Sequence, residues 1–148
     1  MYFRKITHSL LILITLAWST SAYSEHIDIG YKNGYAVEAV FSTNDYIYMH
    51  TERTGEMFSY GVGVGLKNDY LTATVMLDRV TSVGDSNIST TAKLLYNDRV
   101  ISYLISVGYT GKIGMSYRFG IGYNLSEKLS IVSHYSETGF FLGFRRWL

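Results

Sequence analysis

The segment 113–125, "IGMSYRFGIGYNL", alternates between large apolar residues and small or polar ones. Successive side chains of a β-strand point to opposite faces, so residues two apart share a face. One face of this segment is therefore apolar and aromatic, and the other is narrow and polar. Apolar residues of an amphipathic helix recur three and four positions apart instead, so the alternation predicts a strand.

The same alternation recurs along the chain between short turn signals. Asn33-Gly34, Asn68-Asp69 and Asn97-Asp98 are typical of tight turns because these residues tolerate left-handed backbone conformations. We predict an all-β fold, an antiparallel up-and-down transmembrane β-barrel of ten strands with short turns on both sides, or of eight strands if the N-terminal hairpin is wrongly divided. The longest outer turn is predicted at 81–87. The predicted strands are 25–32, 35–42, 46–53, 57–67, 70–80, 88–96, 99–110, 113–125, 128–136 and 139–148.

The first 22 residues have the layout of a secretory signal peptide. Arg4 and Lys5 precede the apolar run "LLILITLAW", and small residues follow it up to Ala22. The run is shorter than the roughly 20 apolar residues that a membrane-spanning helix needs. We expect cleavage after Ala22, with Ser24 as the alternative, and a single β-barrel domain over 23–148.

Composition excludes several classes of protein. The chain has no cysteine, so no disulfide framework supports export, and its net charge of +1 with scattered signs offers no basic surface for nucleic acid. It has no proline, while glycine and tyrosine each occur 14 times, far from the usual mix of a soluble enzyme. No His or Cys cluster has metal-ligand spacing, and the "GVGVG" at 61–65 lacks the Lys-Ser/Thr and helix of a phosphate loop. We therefore expect no cofactor and no metal.

The composition of the small or polar face of the strands indicates whether the apolar face meets water or lipid. It consists of Gly, Ser and Thr with few charges, which makes a poor water-exposed surface and a good narrow interior. A transmembrane barrel places the apolar set outward in hydrocarbon and the polar set in the lumen. The facing of 46–53 stays open, because both of its residue sets are mixed. The candidates for paired charges in the lumen are Asp28, Glu38, Asp78, Lys93, Arg118, His134 and Arg145.

Aromatic residues are predicted to gather near the two ends of the barrel, as membrane barrels carry Tyr and Trp girdles at both interfaces. With an even strand count, both termini lie at one end, which we expect to be periplasmic. The predicted periplasmic girdle is Tyr46, Tyr70, Tyr96, Tyr123 and Trp147. The predicted outer girdle is Tyr31, Tyr35, Tyr60, Tyr109, Tyr117, Tyr135 and Phe140.

On this pattern the chain resembles the small outer-membrane barrels of Gram-negative bacteria, the group that includes the Ail/OmpX-type and OmpA-type barrels. The final strand, "GFFLGFRRWL", is similar to their sorting signal through Phe140, Phe144 and Leu148, whereas Arg146 departs from it. The resemblance implies a monomer in the cell outer membrane, in contact with membrane lipid and lipopolysaccharide and inserted by the barrel-assembly machinery. Members of the group include adhesion, serum-resistance and structural proteins that act through long outer loops, which this chain lacks.

A second, local resemblance concerns residues 134–136, "HYS". They are similar to the His-x-Ser element of the outer-membrane lipid A 3-O-deacylases, which implies His134 as base and Ser136 as nucleophile. That family has Asn after the serine and an acid at the start of the last strand, whereas here Glu137 follows Ser136 and the last strand has no acid. We therefore favour a lumen role for His134.

Three functions follow from the sequence. The first is an outer-membrane barrel with a structural or surface-interaction role, no open pore and no catalysis. The second is a deacylase-like hydrolase that uses His134 and Ser136. The third is a soluble periplasmic or secreted barrel that binds a small apolar ligand inside.

Overall fold

A computed structural model describes residues 23–43 and 46–148, with side chains from His26 onward. The predicted signal peptide, 1–22, lies outside the described residues, as do residues 44 and 45. Within the described part the fold is all-β, and it contains no helix long and apolar enough to cross a membrane. The strands are β1 (Tyr23–Tyr31), β2 (Tyr35–Ser42), β3 (Ile47–Thr54), β4 (Met57–Lys67), β5 (Leu71–Ser82), β6 (Asp85–Asn97), β7 (Ile101–Thr110), β8 (Gly114–Ser126), β9 (Leu129–Ser136) and β10 (Gly139–Trp147).

These ten strands form a closed antiparallel up-and-down barrel, which confirms the predicted fold and favours ten strands over eight. Each strand pairs with its sequence neighbours, and β1 pairs with β10 to close the sheet, with Asp28 opposite Arg145 and Tyr31 opposite Leu142. Closure leaves no unpaired strand edge. Because the strand count is even, the two ends of the barrel domain lie together at one end, which we call the terminal end. The other end is called the far end.

The turns at the two ends have different chemistry. At the terminal end, the Asn68 side-chain oxygen accepts hydrogen bonds from the N–H groups of Tyr70 and Leu71 at 3.0 and 2.8 Å. Asp98 likewise accepts from Ile101 and Val100, and these hydrogen bonds lower the pKa of Asp98. Glycines occur in the far-end turns, so the termini and the glycine-containing turns are at opposite ends.

The prediction of a longer outer turn at 81–87 is wrong. β5 continues to Ser82 and β6 begins at Asp85, with Thr81 paired to Ser86, so only two residues form the turn. Gly84 has φ of 76°, which lets the chain reverse within that length. The polar residues here are the ends of two long strands rather than a loop.

The exposure of the side chains in 113–125 confirms the facing predicted for this segment. Its large apolar residues point outward, with Met115, Phe119 and Tyr123 each about half exposed, while Arg118 and the intervening glycines point inward. The facing left open in β3 is now fixed, because Tyr48 and Glu52 are buried in the lumen and Arg53 is outside. The apolar surface of the barrel is therefore its outer wall.

Candidate functional site

The lumen contains a network of charges centred on Glu38 of β2. Lys93 of β6 donates to one Glu38 oxygen at 2.8 Å, and Arg118 of β8 donates to the other at 2.9 Å. The second Arg118 nitrogen donates to Glu52 of β3, also at 2.9 Å. Because β6 and β8 are each four strands away from β2 around the barrel, these side chains cross the lumen and tie its walls together.

His50 extends this network toward β5. Its Nδ1 lies 3.0 Å from an Asp78 carboxylate oxygen, and its Nε2 lies 3.4 Å from Glu38. Both ring nitrogens therefore face carboxylates. Sequence reasoning selected Glu38, Asp78, Lys93 and Arg118 correctly as lumen residues but left out His50 and Glu52, because the facing of β3 was unresolved. The sequence held no signal that selects them, because both residue sets of this strand are mixed.

A second ion pair lies closer to the terminal end. Arg145 of β10 donates from Nε and Nη2 to the two oxygens of Asp28 on β1, both at 2.7 Å, and both side chains are almost fully buried. The Arg145 guanidinium also lies 5.2 Å from the centre of the Trp147 ring. All seven predicted lumen residues thus point inward, as predicted.

Trp147 was predicted in the periplasmic girdle, and this prediction is wrong. It shares the inward face of β10 with Phe141 and Arg145, and its indole N–H donates to the Ser130 hydroxyl at 2.8 Å. An inward position gives the indole a hydrogen-bond partner and the Arg145 contact, whereas an outward one would give neither. Trp147 helps to fill the lumen at the terminal end.

Side chains fill the lumen from Trp147 up to the charge network. Tyr48, Met76 and Val40 pack together in one cluster, and Phe141 and Val132 belong to another. Beyond the network toward the far end, a cavity of about 210 Å³ reaches the mouth of the barrel. Its wall is polar and charged, and it includes Lys32, Arg118, Ser136, Glu137 and Thr138.

Two groups of lumen side chains come close enough to share a metal ion. They are Asp28, Glu38 and His134, and Glu38, His50 and Glu52. Each carboxylate in them is already held by an arginine, a lysine or both, as described above. A cation would have to compete with these fixed positive charges, so the donor sets do not suit a metal.

The structure brings His134 and Ser136 to the same inward face of β9 but gives them different partners. The His134 ring stacks on Phe141 with centroids 4.4 Å apart, and its Nδ1 has no hydrogen-bond partner in the described part of the chain. The Ser136 hydroxyl is 3.1 Å from the Thr138 hydroxyl and donates to the Gly139 carbonyl at 3.3 Å. Both residues face away from the outer wall, where a deacylase would meet lipid. Their catalytic role stays a prediction that this geometry does not favour.

The outer wall has aromatic residues near both ends. All seven residues predicted for the outer girdle are exposed near the far end, and Tyr46, Tyr70, Tyr96 and Tyr123 are exposed near the terminal end. Among the strand residues with described side chains, the charged ones on this wall are Arg53, Arg79 and Arg146. All three are arginines close to a strand end, and the wall between them is uncharged.

A shallow groove of about 670 Å³ crosses this wall over β4 to β7. Its lining includes the small residues Ala73 and Ala92 and the larger residues Leu66 and Ile105. The apolar concavity of this barrel is thus outside, while the cavity inside is charged. This is the reverse of what a soluble barrel with an apolar ligand inside would need.

No family model, curated protein or solved structure matches this chain.

Proposed function

We propose that this protein is a small outer-membrane β-barrel with a structural or surface-interaction role, without an open pore and without catalysis. One observation carries the proposal: the barrel is apolar outside and charged inside. Val62, Val64 and Leu66 are each more than half exposed, while Glu38, Asp78 and Arg145 are at most 5% exposed. Hydrocarbon around the barrel gives this distribution a physical reason, because water would meet a continuous apolar surface.

Strand length and the aromatic residues support the same proposal. The strands have 8 to 13 residues, close to the roughly 9–11 that a tilted strand needs to cross a bilayer. Tyr rings near both ends fit the two membrane–water interfaces. With the N-terminal signal removed, the terminal end is periplasmic and the glycine-containing turns face outside.

The three outward arginines point to lipid as a partner. A guanidinium close to a strand end can extend to the headgroup layer and donate two hydrogen bonds to one phosphate. Arg53 and Arg79 would meet the outer leaflet, where lipopolysaccharide supplies phosphate groups, and Arg146 would meet the inner one. Recognition of β10 by the barrel-assembly machinery and a monomeric state belong to the same proposal.

Heat-modifiability tests the proposal. Residues 23–148 are refolded in detergent micelles and run on SDS gels with and without boiling, and a parallel sample is refolded without detergent. We expect a migration shift on boiling only in the detergent sample, because a closed membrane barrel resists SDS until heated. Folding to a soluble, monomeric state without detergent would contradict the proposal.

Lipid A analysis separates this role from the hydrolase. We expect the mass of lipid A to be the same in cells expressing the wild type and the Ser136→Ala variant. A loss of one acyl chain with the wild type, abolished by Ser136→Ala, would contradict a role without catalysis.

A further inference from the structure

Lys32 is a buried cation at the far end of the lumen. It lies in the turn between β1 and β2, yet only 1% of its surface is exposed. Its ammonium makes no hydrogen bond or ion pair within the part of the chain that the structure describes. Burial and the nearby Arg118 lower the pKa of Lys32, against the weaker opposite effect of the carboxylates of Glu52, Glu38 and Glu137. An unpaired buried charge is costly, so such a residue needs an explanation.

The carboxylates around the cavity do not supply one. Glu38 is held by Lys93 and Arg118, and Glu52 by Arg118 and the Thr54 hydroxyl. Asp78 contacts His50, and Glu137, between β9 and β10, accepts a hydrogen bond from the backbone N–H of Tyr117 on β8. Each carboxylate lining the cavity therefore has a donor other than Lys32, and among the described residues of the wall Lys32 is the cation that makes no hydrogen bond or ion pair.

The turn that carries Lys32 is held in place. The Lys32 N–H donates to the Gly34 carbonyl at 2.8 Å, and the Asn33 side-chain amide donates to the Thr138 carbonyl in the neighbouring β9–β10 turn at 2.8 Å. Asn33 has φ of 53°, a left-handed conformation that directs the chain back into β2. These contacts fix the backbone from which the Lys32 side chain enters the lumen.

We propose that the far end of the lumen is a binding site for a small soluble anion bearing a phosphate or carboxylate group, with Lys32 as its principal counter-charge. The cavity of about 210 Å³ has room for such a group. Hydroxyls of Ser116, Ser136 and Thr138 line the same cavity and can donate hydrogen bonds to it, Ser136 by turning its hydroxyl away from the Gly139 carbonyl 3.3 Å away. Ser136 then has a role as an anion ligand that needs no catalytic partner.

Inorganic phosphate is the probe. The wild-type barrel is refolded in dodecyl maltoside, a phosphate-free neutral detergent, and its unfolding temperature is measured at rising phosphate with ionic strength held constant by NaCl. We expect a saturable rise, because a ligand that binds only the folded state stabilises it. An unfolding temperature that does not respond to phosphate overturns the proposal without recourse to any variant.

Three variants locate the site. Lys32→Met keeps the apolar stem and removes the charge, and it should raise the phosphate concentration for half effect at least tenfold. Lys32→Arg keeps the charge and should retain the effect, whereas Lys128→Met, in a turn at the terminal end, should match the wild type. An equal phosphate response in Lys32→Met and the wild type would overturn the assignment to Lys32. The anion site depends on the lumen and not on what surrounds the barrel. A failed heat-modifiability test would therefore contradict the membrane location and leave the phosphate result unaffected.

Discussion

At the scale of single residues, the Asp28–Arg145 pair illustrates what holds the lumen together. Two charges leave water on folding, and the two hydrogen bonds of 2.7 Å between them offset that cost. Removing one partner leaves the other charge buried alone. We expect Arg145→Met to lower the free energy of unfolding by about 3–5 kcal/mol, measured by urea unfolding of the barrel refolded in lipid vesicles.

The double variant Asp28→Asn/Arg145→Met supplies the control for this prediction. It removes both charges, so we expect it to be more stable than Arg145→Met alone. The exposed Lys112–Asp85 pair at 2.8 Å is a matched surface case, and Lys112→Met should leave stability unchanged. If Arg145→Met and Lys112→Met behaved alike, burial of the Asp28–Arg145 pair would not matter energetically.

The glycines on the inner face of β4 make room for side chains from other strands. A Cβ on Gly63 would overlap the Val75 carbonyl oxygen, and it would lie 2.5 Å from the Met76 sulfur and 2.8 Å from the Met76 Cα. We expect Gly63→Ala to cost about 1–3 kcal/mol of unfolding free energy through overpacking, measured as above. Gly111→Ala is the control, since a Cβ there meets nothing within 4 Å. Equal stability of the two variants would contradict tight packing against β4.

At the same scale, the sequence predicted the inward direction of all seven lumen residues but not which of them form ion pairs with each other. Direction depends on the two-residue period of each strand, which is local. The contact of Arg118 with both Glu38 and Glu52 depends on which strands face each other across the closed barrel, and the sequence separations are 80 and 66 residues. Lys32 shares the spacing of His26 and Asp28, yet only the assembled lumen shows that no described side chain forms an ion pair with it.

At the scale of strands, β4 shows how the outer wall can be tested. Val62 lies in the middle of β4 and Leu66 next to its end, and both point outward. In a bilayer, we expect Val62→Arg to lower the unfolding free energy by about 2–4 kcal/mol and Leu66→Arg by about 0–1 kcal/mol, because the cost of a charge depends on its depth. Urea unfolding in lipid vesicles measures both. Similar small effects for the two variants would indicate a wall exposed to water.

Strand boundaries were predictable where turn residues bracket an apolar run, as for β2 and β4, whose bounds match the prediction. They were not predictable at 81–87, where polar residues continue the pairing of β5 and β6 beyond the apolar wall. Nor was the facing of β3, because His50 and Glu52 make its inward set look as mixed as its outward set. Polar residues are equally typical of a strand face that lines the lumen and of a loop. Only strand pairing distinguishes the two.

At the scale of the whole molecule, ten strands with a filled lumen lead to a prediction about transport. Barrels of about eight strands are just filled by their own side chains, and a wider one needs larger inward residues. Here Tyr48, Phe141, Arg145 and Trp147 supply that volume, and Arg118 and Lys93 cross the lumen above them. These side chains therefore close the inner end of the cavity, so it does not continue through the barrel.

We expect the purified barrel, reconstituted in planar lipid bilayers, to show no steady ion conductance above the lipid background. Ions would have to displace Arg118 from both glutamates and then pass the closely packed Tyr48 and Trp147. A general porin reconstituted in the same way is the positive control, and heat-modifiability of the same preparation verifies that the barrel is folded. Stable conductance steps from the folded wild type would show that the lumen opens, and would replace a structural role with that of a channel.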